Sequence, residues 1–152
     1  MDANKSVEVL NTLIEINNDR IEGYDTASKE TKEQDLKQLF AELIQTSQKC
    51  KDELSREVRS LGGEPTEGTK TTGKFFRTWM DVKAALTGND RLAILNSCEF
   101  GEDQAVGTYE KVLENNLTDI NPQLQALVRS EYSLIKSDHD RVRDLRNSLK
   151  SN

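Results

Sequence analysis

Four long stretches of this chain repeat apolar residues at alternating steps of three and four, a spacing that favours helices with one buried face. In the first, about residues 4–28, Val7, Leu10, Ile14, Asn17, Ile21 and Tyr24 share a face that Leu13 and Ile16 widen. Glu8, Glu15, Asp19 and Glu22 fall opposite and read as a solvated face. The second, about 35–61, lines up Leu36, Phe40, Leu43, Ser47, Cys50, Leu54, Val58 and Leu61, and Gly62-Gly63 followed by Pro65 ends it. The third, about 90–116, carries Arg91, Ile94, Leu95, Cys98, Gly101, Glu102, Ala105, Tyr109, Val112 and Leu113. The fourth opens on Asn121-Pro122, a capping residue before proline at the first helical position. It continues through Leu124, Val128, Glu131, Ile135, Asp138, Val142, Leu145 and Leu149.

Short links join the first helix to the second and the third to the fourth, which predicts two antiparallel hairpins and an all-α four-helix bundle. The 152 residues suit one domain, 1–152. Residues 62–89 form a connection long enough to run the length of the bundle and set the third helix parallel to the second. An up-down-up-down order is the alternative. Inside that connection, residues 74–86 read as a short extra helix with Phe75, Phe76, Trp79, Met80, Val82 and Leu86 on it. Sparse aromatics of this kind usually pack on a core; the functional alternative is an interaction face of Phe75, Phe76, Trp79 and Met80 for a protein or a membrane surface.

Only 34% of the residues are hydrophobic and 32% are charged, so the core is affordable only as narrow stripes. A net charge of −6 argues against nucleic acid as a partner. No apolar run approaches the roughly 20 residues of a membrane span. The start, Met-Asp-Ala-Asn-Lys, lacks the apolar stretch of a signal peptide, so the expected location is the cytoplasm, where Cys50 and Cys98 stay reduced.

Near mid-height every stripe turns polar: Asn17 on the first, Ser47 and Cys50 on the second, Cys98 and Glu102 on the third, Glu131 and Asp138 on the fourth. Arg20 and Lys51 stand at the margins of their stripes. Buried carboxylates cost several kcal/mol unless paired or bound to metal. The first expectation is therefore a salt-bridged layer, with Arg20 and Lys51 neutralising the acids and no cofactor. The competing expectation is a metal site or carboxylate catalysis drawing on Glu102, Glu131, Asp138 and His139. A di-iron centre needs Glu-x-x-His on two helices, and the chain has one histidine, preceded at the required spacing by Lys136. No phosphate-binding loop, Cys-x-x-Cys pair or histidine-activated nucleophile is present.

The run from Leu10 to Tyr24 (Leu-Asn-Thr-Leu-Ile-Glu-Ile-Asn-Asn-Asp-Arg-Ile-Glu-Gly-Tyr), Leu61-Gly62-Gly63-Glu64-Pro65, and the run from Trp79 to Gly88 resemble a bacterial family of ferritin-like four-helix bundles of unknown function. The resemblance covers nearly the whole chain and implies a ferritin-like fold and a stress-associated cytoplasmic protein, with no established activity. The first helix is also similar to that of bacterioferritins. That similarity sets Asn17 at a ligand glutamate, Ser47 and Cys50 at a Glu-x-x-His pair, Glu102 at a second glutamate, and Lys136-x-x-His139 at the second pair. With those positions changed, the expectation is a bundle that has lost its iron centre, and our reading of the chain is a structural or protein-binding role with a second copy or another protein as partner.

Overall fold

A computed structural model of the protein describes residues 3–68 and 91–150. The short helix expected over 74–86, with Phe75, Phe76, Trp79 and Met80, lies outside the described residues. Four long helices make up the rest: α1 (Ala3–Glu30), α2 (Gln34–Ser60), α3 (Arg91–Asn115) and α4 (Pro122–Lys150). A 3-10 turn, Leu117–Asp119, sits between α3 and α4, and there is no strand among the described residues.

The helix ends follow from local chemistry. Gly62 takes a left-handed φ of 83°. Its N–H reaches the Arg59 carbonyl at 3.0 Å, and the Gly63 N–H reaches the Val58 carbonyl at 3.0 Å. These two bonds satisfy carbonyls that the end of α2 would otherwise leave open. Gly63 is also pressed against the first helix: a Cβ there would sit 2.8 Å from a Val7 methyl. At the start of α4 the Asn121 side-chain oxygen accepts the Leu124 N–H at 2.8 Å, the cap that Asn121-Pro122 implies.

Side-chain contacts show which ends meet. Ser6, at the start of α1, donates to the Asp119 carbonyl beyond the end of α3 at 2.5 Å. Arg91, at the start of α3, pairs with Glu33 and Asp35 at the start of α2. Arg91 therefore works as an end clamp and not as a core position of α3. The start of α3 thus lies at the end of α2 opposite to Gly62.

Buried apolar side chains fall into two clusters. One, around Leu10, Leu13, Leu54, Val58, Tyr109, Val112 and Val128, fills the half near the start of α1. The other, around Tyr24, Leu36, Phe40, Leu43, Ile94, Leu95 and Val142, fills the half near the link between α1 and α2. The polar residues at mid-height lie between them.

One face of α1 departs from expectation. Asp19, read as solvated with Glu8, Glu15 and Glu22, is buried, as is its neighbour Asn18. The strand of loop after α2 covers this side: Asn18 donates to the Gly68 carbonyl at 2.9 Å, and Asn11 accepts the Thr66 N–H at 2.9 Å. Periodicity within one helix carries no information about a loop laid over its back.

Replacing Gly62 with alanine forces a Cβ into the left-handed region and should cost about 1–2 kcal/mol. Gly62→Asn should cost less, because asparagine tolerates that conformation. Chemical denaturation of the two variants and the parent checks the order.

Candidate functional site: a polar layer at mid-height

Arg20 lies near the middle of α1 and is only 2% exposed. Its guanidinium reaches all three other helices. Nη2 donates to Glu102 Oε1 on α3 at 2.8 Å and to Asp138 Oδ2 on α4 at 3.2 Å, while Nη1 donates to Ser47 Oγ on α2 at 2.5 Å. Tyr24, one turn further along α1, donates its hydroxyl to the same Glu102 oxygen at 2.6 Å and lies under Arg20, whose guanidinium carbon is 5.9 Å from the ring centroid. Phe40 on α2 stacks on Tyr24, with centroids 5.5 Å apart. An aromatic pair from α1 and α2 thus borders the ion-pair layer.

The charges are consistent with this geometry. Burial alone would weaken the guanidinium's hold on its proton, but Glu102, Tyr24 and Asp138 outweigh it and hold Arg20 protonated well beyond the ordinary range. Burial and the neighbouring Glu102 charge push the Tyr24 hydroxyl well up, so it stays a donor. Asp138, at the rim, is raised by burial against the opposing pull of Arg20 and a hydrogen bond from Thr46. Burial, reinforced by Glu102, also raises the Cys98 thiol, which keeps it neutral in the apolar half.

A second tier lies one turn nearer the start of α1. Asn17 donates to the Leu13 carbonyl at 2.8 Å and to the Tyr109 hydroxyl at 2.9 Å, and that hydroxyl donates onward to Glu131 Oε1 at 2.9 Å. Glu131 is fully buried, and its Oε2 has no hydrogen-bond partner among the described residues. Burial pushes its carboxyl up to about 9, with the nearby Glu53 adding to the shift and Tyr109 opposing it. Cys50 faces the same spot, its thiol pushed up to about 12 by burial and by Glu131.

The residues offered by the sequence as metal ligands therefore fall in three places. Glu102 and Asp138 hold Arg20. Glu131 belongs with Tyr109, Cys50 and Glu53. His139, 9% exposed, sits between Asp103 at 2.5 Å and Asp140 at 3.0 Å. Lys51 is half-buried and supplies none of the cation in the Arg20 layer. It stands one position past Cys50, about 100° around the helix, which puts it on the flank of the α2 stripe. Arg20 reaches the centre from a similar flank because its longer, weakly hydrated fork tolerates burial where an ammonium does not. Cys50 and Cys98 are both buried free thiols. The sequence marked the inward acids, but not Glu53 or Asp103, which join them from the flanks, nor the tyrosines that hold them. Tyr24 and Tyr109 stand on apolar stripes, and only the facing acids indicate that their hydroxyls are used.

Glu131 carries a proton below about 9 in the folded protein and loses it near the ordinary carboxylate value when unfolded. The folded state then binds the extra proton across that window, so this group's stabilisation is full at acid pH and fades as pH rises toward 9. Glu131→Gln mimics the protonated form. It should be near neutral at pH 5 and increasingly more stable than the parent toward pH 9, as read by urea melts across that range; a gap that narrows with pH would contradict the assignment.

Among curated proteins none matches the chain. Residues 5–115, which take in α1, α2, the connection and α3 with Asn17, Arg20, Ser47, Cys50 and Glu102, match a family known by the description domain of unknown function (DUF2383). The chain belongs to that family.

Proposed function

We propose that this protein is a ferritin-like four-helix bundle with a structural or protein-interaction role in the cytoplasm, in which an internal arginine stands where relatives of that fold hold metal. The observation that carries the reading is Arg20, buried and bonded to α2, α3 and α4 at once. The meeting of the starts of α2 and α3 through Arg91 supports the ferritin-like order, with antiparallel hairpins and a long crossover.

The residues at mid-height fit a di-iron centre poorly. Such a centre needs free lone pairs on bridging carboxylates and imidazoles to complete the coordination. Glu102 Oε1 already accepts from Arg20 and Tyr24, which leaves only its Oε2 without a partner among the described residues, and Asp138 Oδ2 accepts from Arg20. A divalent ion about 4 Å from the guanidinium would meet roughly 8 kcal/mol of repulsion at an effective dielectric of 20. Asn17 puts a neutral amide where a ligand acid would be required: its Nδ2 donates to Leu13 and Tyr109, and its Oδ1 has no hydrogen-bond partner among the described residues. The layer does serve another purpose: a single guanidinium that must satisfy three helices fixes their rotation and height, as a rigid scaffold requires.

Ferrous iron added to the purified protein in air should oxidise no faster than in buffer, and no iron pair should remain after desalting. Two irons per chain, lost in Glu102→Ala and in Asp138→Ala, would overturn the reading.

A further inference from the structure

One ligand atom each from Cys50, Glu53 and Glu131 lies within 4.8 Å of the other two, at the contact between α2 and α4. From this geometry we infer a mononuclear site for a borderline divalent cation of the zinc or cobalt type, held by one thiolate and two carboxylates, separate from the Arg20 layer.

Three observations carry it. Glu131 is fully buried and its Oε2 is left without a hydrogen-bond partner among the described residues, whereas Oε1 is fixed by Tyr109. Once Glu131 sheds its proton, that oxygen is a buried carboxylate oxygen with no donor, which is costly. Its near neighbours are the Glu53 carboxyl, which shares the proton while Glu131 is neutral, and a thiol, and neither supplies a fixed positive charge. Next, the spacing suits one ion. Zinc bonds of about 2.0–2.3 Å in tetrahedral geometry put ligand atoms roughly 3.5 Å apart, so the three atoms need close by no more than about 1.3 Å. Last, the site has the outer support that metal ligands need: Asn17 holds Tyr109, and Tyr109 holds Glu131.

The surroundings leave room for a cation's charge. Lys49 pairs with Glu53 at 3.4 Å on the solvent side, where Glu53 is 25% exposed, and its charge reaches Glu131 as well, though less than burial does. That rim gives an ion its way in and a water its place as fourth ligand. Arg20 is close enough to influence Cys50 but has its charge committed to Glu102 and Asp138. The thiolate selects zinc, cobalt or a similar ion over magnesium and calcium, which want oxygen alone. By contrast, the Glu99, Asp103 and His139 group already holds a cation, because Arg146 pairs with Glu99.

Cobalt(II) is the probe, added slightly above neutral pH because thiolate and carboxylate must shed protons to bind. The expected result is one cobalt per chain with the near-ultraviolet charge-transfer band of a thiolate ligand, displaced by zinc. Cys50→Ser should abolish the band and Cys98→Ser should keep it. Glu131→Gln and Tyr109→Phe should each weaken cobalt binding about tenfold or more, with far-ultraviolet dichroism showing that the variants remain helical. Absence of the band in the parent, or its persistence in Cys50→Ser, would overturn the proposal. Because the cobalt readout follows Cys50 while the iron readout follows Glu102 and Asp138, either account can fail without the other.

Discussion

One buried positive charge organises this protein. Arg20 stands between two apolar clusters and reaches an acceptor on each of the other three long helices. Apolar stripes alone leave helices free to slide by a turn or rotate by a position, because leucine packs against leucine in several registers. A guanidinium has no such tolerance. If α3 shifts by one turn, Glu102 leaves Arg20 and Tyr24 together, and a bare carboxylate is left in the core. The layer contributes little net stability against a well-packed apolar equivalent, and its effect is to penalise every other arrangement.

The tiers on either side depend on that choice. Tyr24 anchors Glu102 from the side of the Phe40 cluster, and Asn17 with Tyr109 holds Glu131 from the other. Glu102 and Glu131 are thus each met by a tyrosine hydroxyl, but the two acids differ in what completes them. Glu102 has a fixed cation. Glu131 has a proton or, on our inference, an exchangeable ion. A bundle built this way is rigid at one level and adjustable one turn away.

Much of the fold was legible in the chain. The four stripes, the Gly62-Gly63 stop and the Asn121-Pro122 start each have a local cause, and local causes can be read without coordinates. The position of the polar layer was legible too, since Asn17, Ser47, Glu102, Glu131 and Asp138 interrupt stripes that are otherwise apolar. What escaped was set by neighbours distant in sequence. Arg20 looked marginal because its Cβ sits at the edge of the α1 stripe, yet a long side chain can reach the centre from there. Asp19 looked solvated because nothing in α1 announces the loop that its buried neighbour Asn18 binds. Glu53 and Asp103 flank their seams and gain meaning only from Glu131 and His139 on α4.

The most direct measurement of the central claim is a double-mutant cycle between Arg20 and Glu102, built from Arg20→Met, Glu102→Leu and the pair, each unfolded in urea. Arg20→Met alone should lose about 3–5 kcal/mol, because it leaves buried acids unpaired, and the double variant should recover a large part of that loss. The coupling should be at least about 2 kcal/mol, within the range of residues that share one buried network. Additive losses, with coupling below about 0.5 kcal/mol, would show that Arg20 and Glu102 do not depend on each other and would contradict the account.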